Sequence, residues 1–497
     1  MEPTPDYQSS LTHDFRKQHG VFYTSPALIE FILNRALEPR LLACGNLSEL
    51  LSLKVCDPSC GTGGFLLAAY ERFKKHAARL GVMSAEVSCS IQKACLFGVD
   101  LDSNAVLLAK SHLSSANIFC ANALLDRDLL KNDFFDVVIG NPPYGAKMTS
   151  ADRARCMREF GVQDRDSASF FMCLAFEVAK PGGTTGFIVP KSFIYSSSFA
   201  DVKARLASEI TDLVDCGMAW KNVKLEQAIY LHEKKTVTSA YVSWRRNNSA
   251  NEENIQRVGS VLKADAALFG GLLPALNADE IKLGKLLRTS KLFVADVVHN
   301  SRGARLQQMA QEKDPTDDVE ALDVIGGRHL ASYRWTNVPR ATLTRSHIAD
   351  QKAFAQPESI LVQNIVSHLK NPTPHLKITA QLVNQKTSPS IALLDTVNQL
   401  RCMNGYSPRV LLAVLNSKLM SWYVYRFVVG QAVRTIHFDA PLISRIPVPG
   451  ASQTHDLEAL VDQMLREPSA VLEQRIERLV WKLFDLGEGG TARTVGV

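Results

Sequence analysis

One stretch constrains this chain more than any other: Phe135-Asp136-Val137-Val138-Ile139-Gly140-Asn141-Pro142-Pro143-Tyr144-Gly145. An apolar run of strand length ends at two consecutive prolines, neither of which can extend a helix or donate to a ladder. The residues just past the strand must therefore form a stiff loop. Asn141 brings an amide oxygen to that loop and the Pro142 carbonyl a second acceptor, enough together for both hydrogens of an exocyclic amine. Tyr144 adds a flat face for a ring. The expectation is a site for a planar amine or amide at the tip of a strand.

The residues upstream build the sheet that this strand needs. Residues 53–57 read as a short strand, and Pro58-Ser59-Cys60-Gly61-Thr62-Gly63-Gly64 as the turn into a helix over 65–80. Three glycines at a strand-to-helix turn let a ligand approach the backbone closely. A second strand, 94–99, runs into Asp100-Leu101-Asp102, where a carboxylate can accept from both hydroxyls of a ribose. Asp102 then caps a helix over 104–113. The third strand, 116–121, ends at Asn122, and the fourth is 136–140. Ahead of them all, Gly20-Val21-Phe22-Tyr23-Thr24-Ser25-Pro26 precedes apolar positions at helical spacing over 27–37. Thr24 or Ser25 caps that helix, Pro26 suits its first position, and its free N–H groups could hold a carboxylate. Strands alternating with helices predict a parallel α/β sheet, which puts Asp57, Gly61, Asp100, Asn122 and Asn141 on one carboxyl edge. Unrelated structural accidents would be spread over both ends of the strands.

Residues 146–166 carry Arg153, Arg155, Arg158 and Arg165 and read either as a mobile flap or as a solvated loop. A helix over 168–178 and strands at 185–189, 210–215, 228–232 and 239–245 complete the sheet. Between 246 and 256 the composition turns to Asn, Ser and Glu, which predicts a domain boundary. Beyond it come short strands punctuated by Gly, Pro and Asn, an amphipathic helix over 408–424, and helical spacing over 457–486. The expected domains are 1–246, 247–450 and a C-terminal helical segment, 451–497.

A chain of 497 residues exceeds what one hydrophobic core usually supports, in keeping with this division. Residues 230–450 hold 27 Lys and Arg against 17 Asp and Glu, a net of +10, while the whole chain carries +6, so the remainder sums to −4. A basic segment joined to a near-neutral one suggests a polyanion-binding module beside a catalytic one. The ten cysteines are scattered, with no Cys-x-x-Cys pair and no Cys/His cluster of zinc spacing, so neither disulfides nor a metal is expected. No apolar run reaches the roughly 18–20 residues that span a bilayer, and residues 1–16 lack the features of a secretion signal, so a cytoplasmic protein without a membrane partner is expected.

Taken in order, Gly20 to Pro26, Asp57 to Phe65, Gly98 to Asp102, Asn141 to Tyr144 and Lys180 to Pro190 resemble the motifs of the Taq-type, gamma-class N6-adenine DNA methyltransferases of restriction-modification systems. Leu411-Leu412-Ala413-Val414-Leu415-Asn416-Ser417-Lys418 and Ile446-Pro447-Val448-Pro449 look like the end of that family's target-recognition domain. Residues 250–400 match only loosely. The resemblance implies a Rossmann-like S-adenosyl-L-methionine-dependent methyltransferase domain, a mixed α+β target-recognition domain and a helical C-terminus. It implies that the cofactor's methionine end lies near Thr24, Asp57 and the backbone around Gly61, its ribose on Asp100 and its adenine beside Asn122. The family pattern has an aspartate where this chain has Asn122, which implies weaker cofactor binding. Asn141 and the Pro142 carbonyl would hold the target amine, with the flipped base stacked between Tyr144 and Trp220; the other reading of Trp220 is a core residue.

The implied partner is double-stranded DNA, read by the basic half, where Arg302, Arg305, Arg328, His329, Arg334, Arg426 and Arg434 are candidates. A separate restriction endonuclease or other defence partner is also implied as an option. Two alternatives stand beside this reading: an RNA or protein-glutamine methyltransferase, since the corner suits any planar amine or amide, and a weakly active DNA-binding subunit, for which Asn122 speaks.

Overall fold

The computed structural model describes residues 24–164, 166–219, 225–249, 252–307, 321–338, 341–369, 375–386, 388–433, 436–450 and 454–486. Residues 20–23, Arg165, Trp220 and Arg434 lie outside these. The chain forms two compact units, Met1–Leu276 and Asn277–Val497.

The first unit is built on a nine-stranded sheet: β1 (Val55–Asp57), β2 (Leu96–Asp100), β3 (Asn117–Cys120), β4 (Phe135–Gly140), β5 (Ala179–Pro190), β6 (Ile210–Gly217), β7 (Gln227–Glu233), β8 (Ala240–Ser249) and β9 (Glu252–Leu262), in the order 3-2-1-4-5-7-6-8-9. The strands from β3 across to β5 are parallel, while β7 runs antiparallel between β5 and β6. This is the expected Rossmann-like α/β arrangement. The apolar run of β4 is explained by its position near the middle: all its residues but Asp136 are buried, because helices cover both faces. On one face α1 (Pro26–Ala36) and α2 (Gly64–Arg79) pack against Val137, Ile139, Ile188, Ile229 and Leu231. On the other, the almost wholly buried α3 (Ser167–Val178) brings Phe176 onto His232, which stacks on Tyr230.

Three expectations need correction. The polar run at 246–256 is not a boundary; its described residues belong to β8 and β9, which pair in a register running from Ala240↔Leu262 to Ser249↔Glu252. An edge hairpin exposes much of its surface, so polar residues there carry no boundary signal. The first unit continues to Leu276, and its last residues are tied to β8: Tyr241 Oη accepts from the Leu273 N–H (2.7 Å) and donates to the Leu273 carbonyl (3.1 Å), and the Ala275 N–H donates to Ser243 Oγ. Within 146–166 the chain forms a helix, Ser150–Phe160, capped by Thr149 and stopped by Gly161 at φ +64°. The helix expected over 408–424 is broken at Ser417, whose extended backbone and side-chain cap on the Met420 N–H start a new helix, Lys418–Tyr423.

The second unit is mixed α+β. It holds a four-stranded sheet (Val298–Arg302, Val397–Cys402, Ile360–Gln363, Ala380–Leu382), a three-stranded one (Ala341–Thr344, Ala321–Ile325, Ile391–Leu393) and two C-terminal helices, His455–Arg466 and Ala470–Leu483. Those helices belong to this unit, joined to it by Arg409 Nε on Asp462 (2.7 Å) and by Glu477 accepting from the Lys418 and Leu419 N–H groups. Among the described residues, no helix is long and apolar enough to cross a membrane.

If the first unit truly includes the stretch after β9, then Tyr241→Phe, which strips both partners from the Leu273 peptide, lowers its stability by about 1–3 kcal/mol in urea titrations. A loss below about 0.5 kcal/mol, the level of a surface change, would contradict this placement.

Candidate functional site

The strand order reverses between β1 and β4, so the loops leaving their carboxyl ends diverge and open a crevice. A cavity of ≈ 230 Å³ occupies it, lined by Asp57 and Gly61 from the β1 loop, Asp100 to Asp102 from β2, Asn122 from β3, and Asn141 and Pro143 from β4. Thr24, just ahead of α1, and Ile29 within it close the cavity on one side, and Ala146, Lys147 and Met148 from the loop after Tyr144.

The glycine turn is folded onto the end of β2. Gly61, at φ +52°, donates its N–H to Asp100 Oδ2 (2.7 Å), and Asp102 N–H donates to Asp100 Oδ1 (2.9 Å). Gly63, at φ +85°, stands at the N-terminus of α2, where a Cβ would press on Ala109. Asp102 caps the helix Ser103–His112 through the Asn104 and Ala105 N–H groups. Burial raises the pKa of Asp100, against the pull of its backbone N–H donors.

Asp57 is the most constrained group. It is 1% exposed, with Oδ1 accepting from the Ser59 N–H (3.0 Å). Burial pushes its pKa up to about 8; the Ser59 donor opposes this and the nearby Asp100 charge adds to it. Across the crevice, a Cβ on Gly140 would stand 2.6 Å from Asp57 Oδ1, so only glycine fits at the end of β4. The sequence signal was present in Ile139-Gly140-Asn141, but the reason for it is a contact made across the sheet.

Asn141 reaches back to the segment just ahead of α1, its Nδ2 lying 3.4 Å from Thr24 Oγ1. The two residues, 117 apart in sequence, thus share one wall. The proline corner is pinned by Ser167 at the start of α3: its Oγ donates to the Pro143 carbonyl (2.6 Å) and accepts from the Ala146 N–H. Sequence reasoning missed Ser167, which looked like an ordinary helix start. Pro142 and Tyr144 are buried and do not line the cavity. Burial pushes the pKa of the Tyr144 hydroxyl up, with the Gln227 side chain and Cys216 close by. Asn122 turns its Oδ1 to the Leu124 N–H (3.1 Å) within its own loop while facing the cavity, a local role that an aspartate would also fill.

Of the basic candidates in the second unit, Arg305, Arg328 and Arg334 are exposed, and Arg302 is half-exposed with Nε on the Asp395 carbonyl. Two are internal: His329 is buried with Nδ1 accepting from the Gly326 N–H, and Arg426 is engaged by Glu280 and Gln431.

A family profile described as N-6 DNA methylase matches residues 9–265. The chain is 24% identical over 259 residues to the type II methyltransferase M.VspI of Vibrio sp. (strain 343), a match covering 51% of this chain and 57% of that protein. It is 26% identical over 224 residues to the type II methyltransferase M.BanIII of Aneurinibacillus aneurinilyticus, covering 41% of this chain and 36% of that one. The chain therefore spans little more than half of the first relative's length and about a third of the second's. Among solved structures it resembles the type IIL restriction-modification enzyme MmeI in complex with DNA, with a TM-score of 0.68 at 12% identity over 98% of this chain and 79% of that one. At that identity the likeness is one of fold.

The raised pKa of Asp57 has a consequence for stability. In the unfolded chain a carboxyl titrates near 3.9, while in the folded protein Asp57 keeps its proton to about 8. As pH rises from about 4 to about 8 the unfolded state ionises first, so this residue's contribution to stability falls across that window. Melting temperatures measured from pH 5 to 8 should therefore decline less in Asp57→Asn than in the wild type; parallel curves would contradict the assignment.

Proposed function

This chain belongs to the N-6 DNA methylase family, and we propose that it is a site-specific adenine N6-methyltransferase of duplex DNA, using S-adenosyl-L-methionine, in restriction-modification or a related defence. The observation that carries the reading is the convergence of Asn141, at the tip of β4, with Asp57, Gly61 and Asp100 on one ≈ 230 Å³ cavity.

The lining fits the cofactor chemically. Asp100 suits a ribose diol, the buried Asp57 carboxyl can accept from an amino group once that group's positive charge draws off its proton, and the position where a Cβ would stand on Gly61 is open, with nothing within 4 Å. In this reading Asp57 and Thr24 face the methionine end, Asp100 the ribose and Asn122 the adenine. When bound, S-adenosyl-L-methionine supplies an electrophilic methyl group on a sulfonium.

The chain's own residues then have to overcome the weak nucleophilicity of adenine N6, whose lone pair is delocalised into the ring. Asn141 Oδ1 and a neighbouring carbonyl accept the two N–H bonds and draw the nitrogen toward tetrahedral geometry. Because Ser167 already occupies the Pro143 carbonyl, the Pro142 carbonyl is the natural second acceptor. Asn141 acts as an acceptor and need not remove a proton. Positioning of this kind can supply on the order of 7–11 kcal/mol of a barrier.

A base inside a duplex cannot reach such a corner and has to be flipped out, at a cost of a few kcal/mol partly returned by stacking. Tyr144, 6% exposed, is sheltered within the protein, so a base stacks on it only after entering. Trp220 is proposed as the opposite face. The second unit, with exposed Arg305, Arg328 and Arg334, is proposed to contact the duplex, and a separate endonuclease or defence protein to complete the system.

The test is methyl transfer to mixed-sequence duplex DNA with the product base identified by mass spectrometry. The wild type should yield N6-methyladenine, and Asn141→Ala should turn over about 100–1000-fold more slowly, the loss typical of removing one transition-state hydrogen-bonding group. Cofactor affinity should stay within a few-fold. Methylated RNA or protein with unmodified DNA, or an Asn141→Ala protein as fast as wild type, would overturn the proposal.

A further inference from the structure

A buried ionic cluster stands on the same sheet edge as Asn141, outside the cavity. Lys191 lies just past β5 and is 2% exposed. Its Nζ is 2.9 Å from Asp215 Oδ1 and 3.1 Å from Glu226 Oε1, and both acids are also buried. Asp215 lies near the carboxyl end of β6, and Glu226 directly precedes β7. The sheet register brings them together, with Pro190 opposite Gln227 and Asp215 opposite Ala228.

Two carboxylates against one ammonium make a poor way to stabilise a core. Desolvating three charges is expensive, and apolar side chains of similar volume often do as well or better. What such a cluster provides is direction, and here the direction is clear. Asp215 Oδ1 accepts from the Gly217 N–H (3.1 Å), at a glycine with φ +56°. The Lys191 N–H donates to the Glu226 carbonyl (2.8 Å). Gln227, fully buried, accepts from the Ala219 N–H (2.8 Å) and donates to the Leu225 carbonyl (2.5 Å). Arg246 donates to the Met218 carbonyl (3.1 Å). Both flanks of the β6–β7 connection are thereby fixed, and Gln227 also lies beside the Tyr144 hydroxyl. Met218 and Leu225, on the two flanks, are 45% and 41% exposed.

We propose that Lys191, Asp215 and Glu226 are positioning residues: a buried clasp that, through Gln227, locks the flanks at Met218 and Leu225 against Tyr144 and so shapes the side of the site that receives the target base. This rests on the adenine-methyltransferase reading and assigns the clasp no contact with the cofactor. The clasp acts on the turnover of DNA and leaves cofactor binding alone.

The experiment compares full-length wild type, Lys191→Met, Lys191→Arg and Glu226→Gln. Cofactor affinity is measured by calorimetry, and kcat and KM on a duplex carrying the site mapped by sequencing methylated DNA. Base extrusion is followed with 2-aminopurine at the target position. Lys191→Met should keep the cofactor Kd within twofold, lose on the order of 100-fold in kcat, the scale of a small misplacement at a reacting centre, and give a reduced 2-aminopurine signal. Lys191→Arg should recover part of the rate. Should Lys191→Met fail to fold, Glu226→Gln, which keeps shape and an acceptor, decides the matter with a loss of about 10-fold in kcat at unchanged cofactor Kd. Wild-type kcat in the folded variants, or a parallel loss of cofactor affinity and turnover, overturns the inference. A wild type that methylates no DNA overturns the functional reading and this inference with it.

Discussion

Everything at the site depends on one close approach. The Asp57 carboxylate at the end of β1 lies so near the end of β4 that residue 140 can carry no Cβ. Asp57 is buried at that point, and burial raises its pKa to about 8, while the chain leaves β4 directly into Asn141. The approach occurs where the strand order reverses, the one place in an open α/β sheet where adjacent loops separate enough to leave a crevice. The proline corner is then held from outside by Ser167, so its stiffness comes from tertiary contact as well as from the prolines.

Around that point the site divides into two halves with different physics. One half, from Gly61 to Asn122, is backbone and carboxylate: turns folded on one another by N–H donors to Asp100 and Asn122, suited to a polar ligand with hydroxyls and an amine. The other half, toward β5, β6 and β7, is aromatic and ionic, with Tyr144 and Gln227 beside the Lys191 cluster. The first half suits the proposed cofactor; the second is the side proposed to receive the acceptor base.

The order of elements was legible because parallel strands buried on both faces read as continuous apolar runs, and because the turns at their ends carry glycine, proline and acids. Thr24, Asp57, Gly61, Asp100, Asn122 and Asn141 all reach one cavity from separate strands and loops. Strands alternating with helices put the ends of β1 to β4 on one carboxyl edge, which is where most of them stand. What stayed hidden were facts of the third dimension. The 246–256 run looked like a linker because an edge hairpin and a linker share a polar composition. Tyr144 read as a displayed ring, yet it is sheltered within the protein beside Gln227. Lys191 and Ser167 gave no signal, because a buried charge and a hydroxyl that pins a distant loop are known only from what they touch. Arg426 and His329 counted as basic surface until their partners within the second unit were seen.

The most direct measurement is a crystal structure of the protein with a non-reactive S-adenosyl analogue and duplex DNA. The account predicts the analogue in the crevice between β1 and β4, its amino end at Asp57 and its ribose at Asp100, with an extruded adenine placing N6 within hydrogen-bonding distance of Asn141 Oδ1. An analogue bound elsewhere, or a base that stays stacked in the duplex while Asn141 faces another group, would contradict it.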